Sequence, residues 1–297
     1  MNTHVSTDFE GASPLADWGV IRVAGTDAAT FLQGQLTQDV LGLDAHRAAL
    51  AGWCSAKGRL LASFVVWRPA ADEVLMACSA DLLPAALKRL SMFVLRAKCK
   101  LSDASAEVAL HGVAGAAATV AEWRCADDLV GLPPVHGTAR ALRLGSAPAL
   151  PALAADAWSW LEVASGVPRI VAATAEQFVP QMVNFEVVGG VNFQKGCYPG
   201  QEVVARSQYR GTLKRRAFVF ESPAAAAAPA QEIFHSANHE QPAGMVANAA
   251  SWQGRHLLLA EVKISALEGG TLHLGSADGP QLTRTDMTYA VPLEATA

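Results

Sequence analysis

Charge is scarce in this sequence, and membrane-length apolar runs are absent. Only 17% of the 297 residues are charged, while 51% are hydrophobic; average soluble proteins carry roughly 25% charge. The longest apolar stretches, such as residues 60–67 broken only by Ser63, are less than half of the ~20 residues that cross a bilayer as a helix. A transmembrane helix is excluded, and no membrane is expected among the partners. Residues 1–10 hold no basic residue followed by an apolar core, so a secretory signal is not expected. The net charge of −4 gives no general drive toward nucleic acid or anionic lipid. Cysteine is sparse as well. The five (Cys54, Cys78, Cys99, Cys125, Cys197) are odd in number, widely spaced and without a CxxC pair. That pattern argues against a disulfide framework, a zinc ribbon or a self-contained iron–sulfur site. A reducing compartment, hence the cytoplasm, is the expectation. The eight histidines include no HxH or HExxH, and His235 and His239 are four apart across a loop-like Ser-Ala-Asn, so no metal site is expected.

What is present reads as mixed strands and helices, with room for about two domains at roughly 100–200 residues each. Residues 18–24 look like a strand, followed by Gly25-Thr26-Asp27 as a helix start into 28–32. Residues 60–68 and 73–78 read as a hairpin across a polar Pro-Ala-Ala-Asp turn. A helix is expected from Asp81, with Leu82, Leu83, Ala86, Leu87 and Leu90 at helical spacing. Residues 107–112 and 139–144 alternate like strands. The absence of a strict βαβ rhythm and of a GxGxxG turn favours an α+β fold over a dinucleotide-binding one. Residues 145–154 and the proline-bracketed SPAAAAAPA at 222–230 read as connections. Beyond them, 243–250, 256–264 and 270–274 suggest a small all-β unit. The boundary falls near 212–217, giving units 1–216 and 217–297.

The densest information lies in 178–211, around KGCYPGQE at 195–202. Pro199 suits the first position of a helix and Gly211 the position past its end. Arg206 and Arg210 lie toward the C-terminal end, where cations are favoured. Tyr198 is a poor N-cap, which leaves backbone N–H groups open. Cys197 lies beside that positive end with Lys195 two residues away, and both effects favour thiolate. A reactive cysteine is expected, against the plain alternative of a small buried hydrophobe.

These residues resemble a known family. KGCYPGQE matches the signature K-G-C-[FY]-x-G-Q-E of the YgfZ family, folate-binding proteins related to the glycine-cleavage T-protein. FLQGQLTQDV at 31–40, CSAKGR at 54–59 and GVPRI at 166–170 resemble three further family blocks in the expected order. The likeness covers most of 15–216. It implies a T-protein (GcvT)-like fold of two interwoven α+β lobes with a C-terminal β-barrel-like domain around a central channel. It also implies tetrahydrofolate or a derivative in that channel, and a helper role in assembling or repairing iron–sulfur clusters. The clients implied include enzymes that methylthiolate tRNA, and the partners implied are iron–sulfur proteins or their assembly machinery.

Carried over by residue, Trp18 and Trp158 match family tryptophans at the folate site, where an indole stacks on a pterin or aminobenzoyl ring. Lys57 and Gly58 are folate candidates with an ordinary turn as the alternative. Tyr198, Gln201 and Glu202 of the signature join them as cofactor-binding candidates, with Cys197 and Lys195 as the functional thiol and its basic neighbour. One departure bears on activity. The T-protein's catalytic carboxylate for aminomethyl transfer aligns with Ala62 and Ser63, neither of which is an acid. No other acid lies close by in the sequence, so aminomethyltransferase activity is not expected. Two basic clusters, Arg206/Arg210/Lys214/Arg215/Arg216 and Lys88/Arg89/Arg96/Lys98/Lys100, suit a polyglutamate tail, a partner or RNA phosphate, or simply a solvated face. Three readings therefore stand: a folate-binding accessory factor for iron–sulfur proteins, a one-carbon transferase using another acid, and a protein that binds tRNA directly. The missing carboxylate weighs against the second and the acidic charge balance against the third.

Overall fold

Apolar runs in the first hundred positions, such as residues 60–67, pair as strands. In the computed structural model, residues 9–209, 213–223 and 226–293 are described. In chain order they give β1 (Gly11–Pro14), β2 (Trp18–Ala24), helix α1 (Ala28–Gln33), β3 (Ala48–Cys54), β4 (Leu60–Ala70), β5 (Glu73–Ser79), helix α2 (Leu83–Ser91) and β6 (Lys100–Asp103). After these come β7 (Leu110–Ala114), β8 (Cys125–Ala126), β9 (Leu129–Val135), β10 (Thr138–Leu144), helix α3 (Ala155–Ala164) and helix α4 (Gln201–Tyr209). Six strands follow: β11 (Arg215–Ser222), β12 (Glu232–His235), β13 (Gly244–Trp252), β14 (Arg255–Lys263), β15 (Leu272–Leu274) and β16 (Gln281–Arg284).

The first lobe is an antiparallel sheet in the order β3-β4-β5-β2-β6. Its central hairpin is the one expected from the sequence, with Val65 opposite Ala77 and Trp67 opposite Leu75. Helix α2 buries Leu83, Ala86 and Leu90 along one face, and it packs on β2 and β6. Gly19 on β2 admits it, since a Cβ there would come within 2.5 Å of Leu83 Cδ1.

The second lobe is the sheet β1-β7-β10-β9-β8. Strand β1 lies in this lobe, the chain then leaves for the first through β2–β6 and returns at β7, so the two lobes are interwoven. The strand expected at 107–112 begins later, at Leu110, because the Glu107 and Val108 N–H groups close a turn onto Ala104 O at 2.9 and 2.8 Å.

The third unit is a closed barrel, β11-β14-β13-β12-β15-β16, completed where Phe220 on β11 pairs with Arg284 on β16. Both faces of β14 are buried. Leu258, Ala260 and Val262 fill the barrel, while Leu257 and Leu259 join the core of the lobes, which is the two-residue period of a strand seen from both sides. The fold is therefore α+β, with two interwoven lobes and a C-terminal barrel. No helix among the described residues is long and apolar enough to cross a membrane.

Candidate functional site

Where the two sheets, α3 and the barrel converge, they enclose a cavity of about 200 Å³. Trp18, Ser63, Arg140, Glu162, Arg169 and Asn248 line it, from β2, β4, β10, α3, the loop after α3, and β13. The loop is set by the end of α3, where Gly166 takes φ +68°, the left-handed position that glycine fills at a helix C-terminus. Asn248 then grips Arg169 twice, its Oδ1 accepting the backbone N–H at 3.0 Å and its Nδ2 donating to the carbonyl at 2.7 Å. Ser63 Oγ accepts the N–H of Ile170 at 2.9 Å.

Charge is concentrated in this wall. The Arg169 guanidinium lies 4.8 Å from the Trp18 ring centroid, pairs with the Asp17 carboxylate and stands 3.6 Å from Glu162 Oε2. Trp18 Nε1–H donates to Glu162 Oε1 at 3.1 Å. Burial pushes the Glu162 carboxyl up from its ordinary value and Asp17 adds to this, while Arg169, Arg140 and the Trp18 N–H oppose. Arg140, buried and bonded to Pro133 O through two nitrogens at 3.0 and 2.9 Å, is lowered by desolvation to about 10 and remains a cation at neutral pH.

A second constellation lies at the start of β4. The KGCYPGQE loop packs back to back on the β3–β4 turn: a Cβ on Gly200 would collide with Ser55 O and sit 2.7 Å from Gly58 Cα, and one on Gly58 would sit 2.7 Å from Val203 Cβ. Both glycines have positive φ, +79° and +69°, so two requirements for glycine coincide. The 31–40 block closes the third side. Thr37 Oγ1 donates to Gly190 O at 2.6 Å, Gln38 Nε2 to Gly189 O at 2.7 Å, and Asn192 N to Thr37 O at 2.9 Å. Cys197 is exposed on this loop, whereas Cys54 and Cys78 are buried and their thiols are pushed up to about 12 by desolvation.

No protein-family model matches the chain. Relatives named tRNA-modifying protein YgfZ do match it. That of Edwardsiella ictaluri is 35% identical over 69% of this chain and 69% of its own length. That of Colwellia psychrerythraea is 30% identical over 70% of each. The chain belongs to the YgfZ family. Among solved structures, the glycine cleavage system aminomethyltransferase T of Bartonella henselae superposes with a TM-score of 0.65 over 97% of this chain and 88% of that one. At 13% identity this likeness shows the T-protein fold and nothing more.

Within this YgfZ-family fold, Trp18 is the only residue proposed for folate that lines the central cavity. Trp158 does not. It is 1% exposed and packs on the backbone of β7 at Gly112, where a Cβ would run into the indole; its ring lies 5.7 Å from the Arg140 guanidinium. Lys57, Gly58, Tyr198, Gln201 and Glu202 also lie away from the cavity, in or beside the Cys197 loop. Tyr198 is buried there, and burial raises its phenol.

Lys195 turns inward, its ammonium 5.2 Å from the Tyr198 ring centroid. Its Nζ donates to Leu36 O at 2.6 Å and to Gln33 O, which caps the end of α1. The helix after the signature begins at Gln201, two residues later than Pro199 suggested, because Gly200 takes a left-handed turn first. Arg210 and Gly211, expected at its end, lie outside the described residues. Two cations of the basic cluster at 206–216 are already engaged, while Arg206 and Lys214 are exposed. Arg216 is 1% exposed and bonds Gln181 O at 2.9 Å and the Glu186 carboxylate, and Arg215 pairs with Glu261 at 2.7 Å.

The sequence reading missed Glu162 and Asp17. No acid neighbours Ser63 in the chain, yet both acids line the cavity that Ser63 lines. The available signal was a single carboxylate inside the apolar run AWSWLEVA of α3.

Proposed function

We propose that the central cavity binds a reduced folate, tetrahydrofolate or a derivative. We further propose that the chain is a cytoplasmic accessory protein for the assembly or repair of iron–sulfur clusters, in enzymes that include tRNA-methylthiolating ones. The observation that carries the folate reading is the shared wall of Trp18 and Glu162, an indole and a buried carboxylate joined by a 3.1 Å hydrogen bond. A pterin offers a flat aromatic face and an edge of adjacent N–H donors. An indole complements the first and a carboxylate the second. A volume of about 200 Å³ suits that ring system, with the rest of the molecule extending beyond the cavity.

Reduced folate supplies a one-carbon carrier when bound. This chain's own part is to bind and orient it: Trp18 by its ring, Glu162 as acceptor, and Arg169 and Asn248 by fixing the loop. A second reading, one-carbon transfer with Glu162 as the acid, draws support from the carboxyl's raised affinity for a proton. The T-protein's acid positions hold Ala62, fully buried, and Ser63, whose hydroxyl is committed to Ile170.

The accessory role rests on the names of the relatives and on the exposed Cys197 thiol. Among the described residues no three His, Cys, Asp or Glu side chains come together as a metal site. A cluster normally takes four ligands, so Cys197 would act on a cluster that partner proteins largely hold, or through a mixed disulfide with them. The test is a strain whose own copy is replaced by Cys197→Ala, assayed for methylthiolated nucleosides in tRNA. A clear fall at unchanged protein level is expected; normal levels would remove Cys197 from the mechanism.

A further inference from the structure

Helix α3 serves two cavities. Successive residues advance about 100° around a helix, so Ser159, Glu162 and Val163, which face the central cavity, lie opposite Trp160, Leu161 and Ala164. Those three line a separate cavity of about 390 Å³ between the second lobe and the barrel, within the ~300–1,000 Å³ of small-molecule sites. Its floor is apolar: Leu161, Val219 and Leu257 are 1, 2 and 4% exposed.

Three aromatic rings wall it. The Phe9 and Trp252 centroids are 4.6 Å apart at 40°, and those of Trp160 and Trp252 are 6.1 Å apart at 52°. The rim is polar. Arg255 lies with its guanidinium 5.0 Å from the Trp160 centroid and is held by Glu221 Oε1 and Oε2 at 2.8 and 3.2 Å. Asp286 and the exposed His136 complete it. Arg255 is balanced by Glu221, and Asp286 adds a further negative charge, so the rim has no net pull on a phosphate. It offers hydrogen-bond donors and an acceptor above flat apolar walls. An aliphatic ligand would leave these groups unused, whereas a neutral planar heterocycle with donors and acceptors on its edge uses both walls and rim.

We propose that this second cavity is a binding site for a nucleobase, carried either by a free nucleotide or by an unpaired residue of an RNA chain. The site is independent of the folate reading, since the two cavities share no lining residue.

The test is saturation-transfer NMR on the full chain, with the four ribonucleoside 5′-monophosphates as one set of probes and a single-stranded hexaribonucleotide as the other. Saturation of base protons is expected, with affinity falling roughly tenfold or more in Trp252→Leu, as for other base–aromatic stacks. Arg255→Gln, at a solvent-facing side chain, provides a second variant that does not threaten folding, and it is expected to weaken binding and change the preference among the four bases. Binding of the monophosphates identifies a free nucleotide, and binding of the hexamer alone identifies RNA. Absence of transfer from every probe at millimolar concentration, transfer untouched by both substitutions, or displacement by saturating tetrahydrofolate would each overturn the proposal.

Discussion

Lys195 sits two residues from the exposed thiol, yet its ammonium is spent on the carbonyls at the end of α1. Burial lowers its pKa from 10.5 to about 8, against the opposing pull of Asp39 and Cys197. The folded chain therefore gives up this proton before the unfolded chain does. Between about pH 8 and 10.5 the unfolded state binds more protons, so this residue's contribution to stability rises with pH across that window. Lys195→Met is expected to flatten the slope, which urea unfolding at a series of pH values reads directly; an unchanged slope would show that Lys195 has its ordinary affinity for a proton. Lys195 does feel the charge of Cys197, as chain proximity suggested, but its hydrogen bonds to residues some 160 positions earlier are invisible to local spacing. The same holds for Trp158. Its motif position suggests a ligand contact, but Gly112 on another strand opens a seat for it in the core. Trp18 lines the central cavity, and Glu162 could be found only once the fold brings residues of α3 and β4 to that same cavity.

At the scale of elements, three of the four family blocks form one structure. The β3–β4 turn, the 31–40 segment and the signature loop are separate in the chain and converge through Gly58 against Gly200 and Thr37 against Gly190 and Asn192. Gly200→Ala adds a Cβ at positive φ and against Ser55 O, and a cost of roughly 1–3 kcal/mol or more is expected. Thermal unfolding checks it, and an unchanged melting temperature would contradict the glycine-on-glycine seat. Strands written as continuous apolar runs bounded by polar or turn residues, such as β4, β5 and β14, were legible in the sequence. Strand β3 was not: AALAGWC is rich in alanine and glycine, weak strand formers. It forms because its full length pairs with β4, from Ala48 opposite Trp67 to Cys54 opposite Leu60. Short β12 and β16 owe their existence to barrel closure, which no local pattern announces.

Over the whole molecule, the barrel is tied to the lobes by buried polar contacts as well as by apolar packing. Arg216 on β11 reaches Gln181 O and Glu186, Asn184 Nδ2 donates to Ala217 O at 2.7 Å, and Asn248 on β13 holds Arg169 at the cavity. The central cavity thus depends on all three units being in place. Ser63 lies on β4, which leads directly out of the β3–β4 turn where Gly58 meets Gly200, so the cavity wall and the seat of the Cys197 loop are joined through one strand. The most direct measurement is calorimetric titration of the full chain with tetrahydrofolate, repeated on Trp18→Phe and Glu162→Gln. The account expects saturable one-site binding, weakened in Trp18→Phe and, roughly tenfold or more, in Glu162→Gln, which loses a charged hydrogen-bond acceptor. No binding at millimolar ligand, or binding that both substitutions leave intact, would contradict it.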